Sequence, residues 1–153
     1  MIKIALYEPE IPPNTGNIIR LAVNTGCELH LIEPLGFSID DRQLKRAGLD
    51  YHNQVQLKVH ASLEDFLATT IHQSVYAITT KGSTLYTDVS YRLNDVLLFG
   101  PETRGLPDNI LEQFPMVTIP MLTTERSLNL ANAVSIVAYE AWRQLGFRNF
   151  KIN

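Results

Sequence analysis

The sequence predicts an α/β domain, a mostly parallel sheet with helices on both faces. Strand-like and helix-like patterns alternate along the chain, and polar segments bearing glycine recur where strands end. With 153 residues, 45% of them hydrophobic, and no low-complexity run, linker or internal repeat, one domain over 1–153 has enough apolar material for a core.

The elements follow in order. Ile2–Tyr7 reads as the first strand, from its β-branched and apolar character, and 15–25 as the first helix, capped by Asn14 and stopped by Gly26. A strand at 28–32 precedes a helix at 41–47 that begins after Asp40. The strand at 55–59 leads to a helix at 62–69, where Ser62 is the cap and Glu64 and Asp65 occupy the first turn. Strands at 74–79 and 96–99 come next, then a helix at 107–114 opened by Pro107 and Asp108, a strand at 116–119, and a long helix at 128–145 whose first turn Ser127 can cap. On that helix Leu128, Ala131, Val134, Ala138, Ala141 and Leu145 form an apolar stripe beside Tyr139 and Trp142, which are either core or an aromatic contact surface.

Composition narrows the function. A net charge of −3 does not announce a nucleic-acid binder, yet Arg42, Lys45 and Arg46 fall at helical spacing, and Arg143, Arg148 and Lys151 gather near the C-terminus. No segment approaches the roughly 20 apolar residues that span a bilayer, and the N-terminus lacks a basic, then apolar, leader, so a soluble cytoplasmic protein is expected. The single cysteine, Cys27, reads as a packing residue. His30, His52, His60 and His72 have no ligand spacing and are assigned surface or structural roles, so no metal is expected. There is no G-x-G-x-x-G after a strand, no P-loop lysine motif and no G-x-S-x-G elbow, which argues against a standard dinucleotide fold, phosphoryl transfer and serine hydrolysis.

Three polar segments sit at strand exits: Asn14-Thr-Gly-Asn-Ile-Ile-Arg20, Phe99-Gly-Pro-Glu-Thr-Arg-Gly-Leu-Pro107 and Arg126-Ser-Leu-Asn-Leu-Ala-Asn132. Loops leaving the carboxyl ends of strands are where ligand groups collect in α/β proteins, so the three suggest one composite pocket. Asn129 and Asn132 share a helical face at the start of the last helix.

These segments in this order, with Ile119-Pro-Met121, resemble the three motifs of the SPOUT superfamily of RNA methyltransferases, over essentially the whole chain. Tyr7-Glu-Pro-Glu-Ile-Pro-Pro-Asn-Thr-Gly16, Arg46-Ala-Gly-Leu-Asp-Tyr51 and Tyr139-Glu-Ala-Trp-Arg-Gln-Leu-Gly146 are similar to the small single-domain members that methylate the ribose 2′-hydroxyl of the tRNA wobble nucleotide. The resemblance implies a C-terminal deep trefoil knot, a homodimer and S-adenosyl-L-methionine as cofactor, held by Ile78, Thr79, Gly100, Ile119, Met121, Ser127 and Leu128. It further implies that Arg20 polarises or deprotonates the ribose hydroxyl, that Asn14 and Glu102 position Arg20 and the pocket loops, and that Asn129 orients the ribose. The partner implied is tRNA, at its anticodon loop. Ala131 departs from relatives that often carry serine there, so no role passes to that position. Ribosomal RNA as substrate, or a non-catalytic RNA-binding module of the same fold, are the alternatives. The extra RNA-binding domains common in ribosomal RNA relatives are not seen here.

Overall fold

The computed structural model describes residues 1–48, 55–123 and 125–152. Its elements are β1 (Lys3–Tyr7), α1 (Pro12–Thr25), β2 (Glu28–Ile32), α2 (Arg42–Gly48), β3 (Leu57–His60), α3 (Leu63–Thr69), β4 (Val75–Ile78), β5 (Thr84–Leu85), β6 (Val96–Phe99), α4 (Asp108–Leu111), β7 (Met116–Thr118) and α5 (Leu130–Gln144). The strands form one sheet in the order β3-β2-β1-β6-β4-β7-β5, and the pairings are parallel. His52 and the end of the Arg46–Tyr51 motif lie outside the described residues.

Strand alternation sends neighbouring residues to opposite faces. Ile4, Leu6, Leu29, Leu31, Leu97 and Phe99 pack with Ile18, Ile19 and Ala22 of α1 and Val134, Ala138 and Ala141 of α5 on one face. Ala5, Ile32, Val96 and Leu98 pack with Leu63 and Phe66 of α3 and Ile110 and Leu111 of α4 on the other. The stripe read on the last helix is therefore core, extended by buried Val137, whereas Leu128 precedes the helix and is half exposed. Tyr139 is largely exposed, and Trp142 meets Tyr139, Phe147 and Phe150 edge to face. Arg143 of the C-terminal basic patch is tied to Glu140 at 2.8 and 2.9 Å.

Buried polar groups on the second face form one line. Lys3 Nζ lies 2.8 Å from Glu28, the other oxygen of Glu28 lies 3.3 Å from His30 Nε2, and His30 Nδ1 lies 2.9 Å from His60 Nε2. His60 faces Asp65 of α3, and Phe66 packs against both rings. The structural role expected of these two histidines holds. His72 is tied to the Thr70 carbonyl at 2.8 Å. Cys27 is buried, and its thiol is pushed up in pKa first by that burial.

Two caps differ from the expectation. α1 begins at Pro12 rather than near residue 15, so Asn14 lies inside its first turn and is no cap. Proline suits the first helical positions because it has no N–H to leave unpaired, and two in succession start the helix early. On α5 the cap is Asn129, which accepts from Asn132 N at 3.3 Å, and not Ser127. Ser62 caps α3 as read, accepting from Asp65 N at 3.0 Å.

β7 inserts between β4 and β5, so the connection from β4 to β5 passes over the place β7 takes. Gly82 permits that crossing: a Cβ there would sit 2.9 Å from the Val117 carbonyl carbon and 3.1 Å from that of Met116.

Candidate active site

Because the strands are parallel, the exits of β1, β6, β4 and β7 fall side by side along one edge of the sheet. Chain order runs outward from β1 through β2 to β3 on one side, while later strands occupy the other side. Crevices at such a reversal are where open α/β sheets bind ligands.

The loops leaving β4, β6 and β7, with the start of α5, enclose a cavity of about 280 Å³. All seven residues assigned to the cofactor line it: Ile78, Thr79, Gly100, Ile119, Met121, Ser127 and Leu128. The strand order brings them together although they span fifty positions of sequence. The walls mix apolar side chains with hydroxyls and main-chain edges, which suits a flat heteroaromatic ring and a sugar. The segment from Gly100 to Leu106 forms one side and curls tightly: a Cβ on Gly100 would run into the backbone of Gly105 and Leu106. Only glycine lets the main chain line the cavity this closely.

Glu102 joins this loop to α1. Its carboxylate accepts from Glu10 N at 2.7 Å, Ile11 N at 3.1 Å and Asn14 Nδ2 at 3.4 Å. Asn14 Oδ1 in turn accepts from Asn129 Nδ2 at 3.0 Å, and Asn129 caps α5. The carboxylate fixes which end of each amide donates, so the line Glu102, Asn14, Asn129 has one consistent orientation. It ties the loop after β6 to the starts of α1 and α5, bringing together three of the four residues assigned to catalysis.

Arg20 is the fourth. It lies six residues beyond Asn14 on α1, about 9 Å along the axis, is solvent-exposed, and is not among the residues that line the cavity. Asn14 and Arg20 share one rigid helix, which fixes their separation.

Four residues of the quoted segments, Glu8, Glu10, Thr103 and Arg104, were given no role of their own from the sequence. Thr103 donates to Glu10 Oε1 from its N–H at 3.0 Å and from its hydroxyl at 2.8 Å, and Arg104 pairs with Glu8 at 3.0 Å. The Thr103 N–H, then its hydroxyl, hold the Glu10 carboxyl below its ordinary pKa. Burial, then the neighbouring Glu8, raises that of Tyr7. The acidic Glu8-Pro-Glu10 at a strand exit was the one available signal.

A parallel sheet with a composite pocket over the exits of β4, β6 and β7 and a polar line reaching into two helices defines a ligand-binding α/β fold. Residues 1–139 match the SpoU rRNA Methylase family. The chain belongs to that family. It is similar to the tRNA (cytidine(34)-2′-O)-methyltransferase of Yersinia pestis, 57% identical over 155 residues covering 96% of each chain. It is also similar to a solved structure described as giving structural insights into the 2-OH methylation of C/U34 on tRNA, at 48% identity and TM-score 0.92, covering 97% of this chain and 98% of that one. The SpoU methyltransferase AviRb of Streptomyces viridochromogenes, solved in complex with the cofactor AdoMet, superposes with TM-score 0.82 at 26% identity over 94% of this chain and 60% of that one.

Proposed function

We propose that this protein is a tRNA 2′-O-methyltransferase that uses S-adenosyl-L-methionine to methylate the ribose of the wobble nucleotide, cytidine or modified uridine, in the anticodon loop. The observation that carries the reading is the near full-length likeness to wobble-nucleotide methyltransferases, matched by a cavity that seven assigned residues line. The cofactor supplies an electrophilic methyl group on a sulfonium centre. Ile78, Ile119 and Leu128 provide apolar walls for an adenosine moiety, and the Gly100 loop offers main-chain donors and acceptors at close range.

A ribose hydroxyl is a weak nucleophile, so this chain's task is to orient it and draw on its proton. Arg20 acts here as a rigid donor fork that polarises the hydroxyl and holds an adjacent phosphate, since a guanidinium seldom releases its proton. Asn129, fixed by Asn14, orients the ribose, and Glu102 keeps the loop and α1 in register. Arg42 and Arg46 flank a shallow cleft on α2 and hold backbone phosphates of the RNA. Single-stranded loops are where proteins reach splayed nucleotides, which favours the anticodon loop.

In this reading the insertion of β7 between β4 and β5 belongs to a trefoil knot, residues 1–153 act as one domain, and two copies pair as a homodimer in the cytoplasm, where tRNA is found. Exposed Tyr139, Phe147 and Phe150 near the end of α5 support pairing. The deciding experiment is a mass-spectrometric map of 2′-O-methylated nucleotides in tRNA from a deletion strain, with and without the gene restored. Loss and return of the methyl group at the wobble ribose is expected. A methyl group on a base, elsewhere in tRNA or on ribosomal RNA overturns the substrate assignment.

A further inference from the structure

α1 has no cap of its own. Ile11 stands at the N-cap position without a side-chain bond, and Pro12 and Pro13 carry no N–H. Asn14 N turns back to Ile11 O at 3.1 Å, while the donors ahead of the prolines, Glu10 N and Ile11 N, both point to Glu102, about ninety residues away on the cavity loop. A carboxylate there also answers the positive end of the helix dipole.

The bond is returned. Glu10 sends its own carboxylate back to the cavity loop, to Thr103 N at 3.0 Å and Thr103 Oγ1 at 2.8 Å. Each loop thus caps the other, in the manner of a capping box whose two halves come from distant parts of the chain. The loops leave adjacent strands, since Leu6 of β1 pairs with Phe99 of β6. A second bridge lies alongside: Glu8, in the left-handed region at φ 49°, presents its carboxylate to Arg104 at 3.0 Å. Holding a non-glycine residue in that conformation costs free energy, which surrounding contacts offset. On the far side Pro9 O accepts from Gly36 N at 2.9 Å, so the segment 8–11 is held from both directions.

We propose that Glu10 is a positioning residue, whose carboxylate, bonded to Thr103 while Glu102 takes the Glu10 N–H, latches the cofactor loop to the start of α1. The inference rests on the methyltransferase reading for what the latch aligns. Thr103 belongs to the cavity wall, and α1 carries Arg20, which is not among the residues lining it. Methyl donor and substrate hydroxyl therefore approach from two separate bodies, and misplacement by about 1 Å between reacting groups is enough to cost rate. A loop contact with only a structural role would lower the melting temperature and leave turnover at low temperature unchanged.

The test is a cycle of Glu10→Ala, Glu10→Gln, Thr103→Val and the double variant Glu10→Ala with Thr103→Val, assayed well below the melting temperature with saturating cofactor and tRNA. Glu10→Ala should lower kcat about tenfold, with a smaller change in KM for tRNA. Glu10→Gln should recover turnover to within about threefold, because an amide oxygen accepts the same two Thr103 bonds. Thr103→Val, which keeps the N–H and loses the hydroxyl, should cost about threefold alone and nothing further on the Glu10→Ala background. Should Glu10→Ala fail to fold, Glu10→Gln takes its place: the amide keeps the hydroxyl bond, so Thr103→Val should cost about threefold on that background as it does alone, and no cost there would overturn the latch. Wild-type turnover in Glu10→Ala, no recovery in Glu10→Gln, or losses of Glu10→Ala and Thr103→Val that multiply would also overturn it. If the wild type transfers no methyl group to tRNA, the substrate reading fails instead, and the same cycle read on S-adenosylhomocysteine affinity still decides the latch.

Discussion

Acidification should weaken this protein through His30 before its carboxylates titrate. His30 is fully buried between β2 and α3, and its pKa falls from 6.5 to about 4, first because burial disfavours the charged ring and then because His60 stands beside it; Glu28 opposes the shift. Hydrogen bonding explains the resistance to a second proton. If Nε2–H donates to Glu28, Nδ1 must accept from His60 Nε2–H at 2.9 Å, and protonating it would set two N–H groups face to face. The unfolded chain binds this proton near pH 6.5 and the native state does not, so the stabilisation is complete above that pH and is lost as pH falls toward about 4. With each pH unit worth about 1.4 kcal/mol, the loss is about 2 kcal/mol by pH 5 and approaches about 3 kcal/mol below pH 4. His60, lowered first by burial and partly restored by Asp65, adds in the same direction. For a chain of this length the loss at pH 5 corresponds to a drop in Tm of about 4–8 °C. The assay is urea and thermal unfolding followed by circular dichroism at half-unit steps from pH 7.5 to 5. His30→Gln keeps a donor toward Glu28 and an acceptor toward His60 but takes no proton, so most of the slope should vanish and the part from His60 remain. Parallel pH dependences in wild type and variant would refute the reasoning.

Arg20→Ala should lower turnover by a factor on the order of 10² with cofactor affinity nearly unchanged, as calorimetry and single-turnover assays can separate; failure by loss of the cofactor alone would remove Arg20 from the reaction. Gly100→Ala should weaken cofactor binding at least tenfold and cost roughly 1–3 kcal/mol of stability, because the new Cβ meets main chain that no side-chain motion can clear. Thr15 Oγ1 is buried with no hydrogen-bond partner among the described residues, so Thr15→Val should hold or raise stability by about 1 kcal/mol, and a clear fall in Tm would reveal a bonded hydroxyl. Light scattering at micromolar concentration should report a dimer, and Phe150→Asp should shift it toward monomer, since Phe150 stays largely exposed despite its edge contact with Trp142. A monomeric wild type would end the dimer reading.

What the sequence made legible follows from the range over which each signal acts. Six strands and five helices were readable because apolar periodicity and caps such as Ser62 are local. β5 was not, since Thr84 and Leu85 are both exposed and two residues show no period. The cap assigned to Asn14 failed because a cap signal presumes that the helix finds its partner nearby, whereas α1 is capped by Glu102 from the loop of the adjacent strand; the one assigned to Ser127 failed because α5 starts two residues later and takes Asn129 instead. The seven cavity residues were named through the resemblance to a family, and no spacing could have united them. They meet only because β6 lies beside β4 and β7 slips between β4 and β5, an order fixed by tertiary packing. The same order makes the loop after β6 a neighbour of the loop after β1, and this is why Glu10 and Thr103 escaped notice: each is an ordinary polar residue until adjacent strands set it opposite the other. The pocket and the helix bearing Arg20 are thus separate in sequence and joined at one sheet edge, so a change at Glu10, which lies outside the cavity lining, should alter the rate while leaving the walls of the pocket intact.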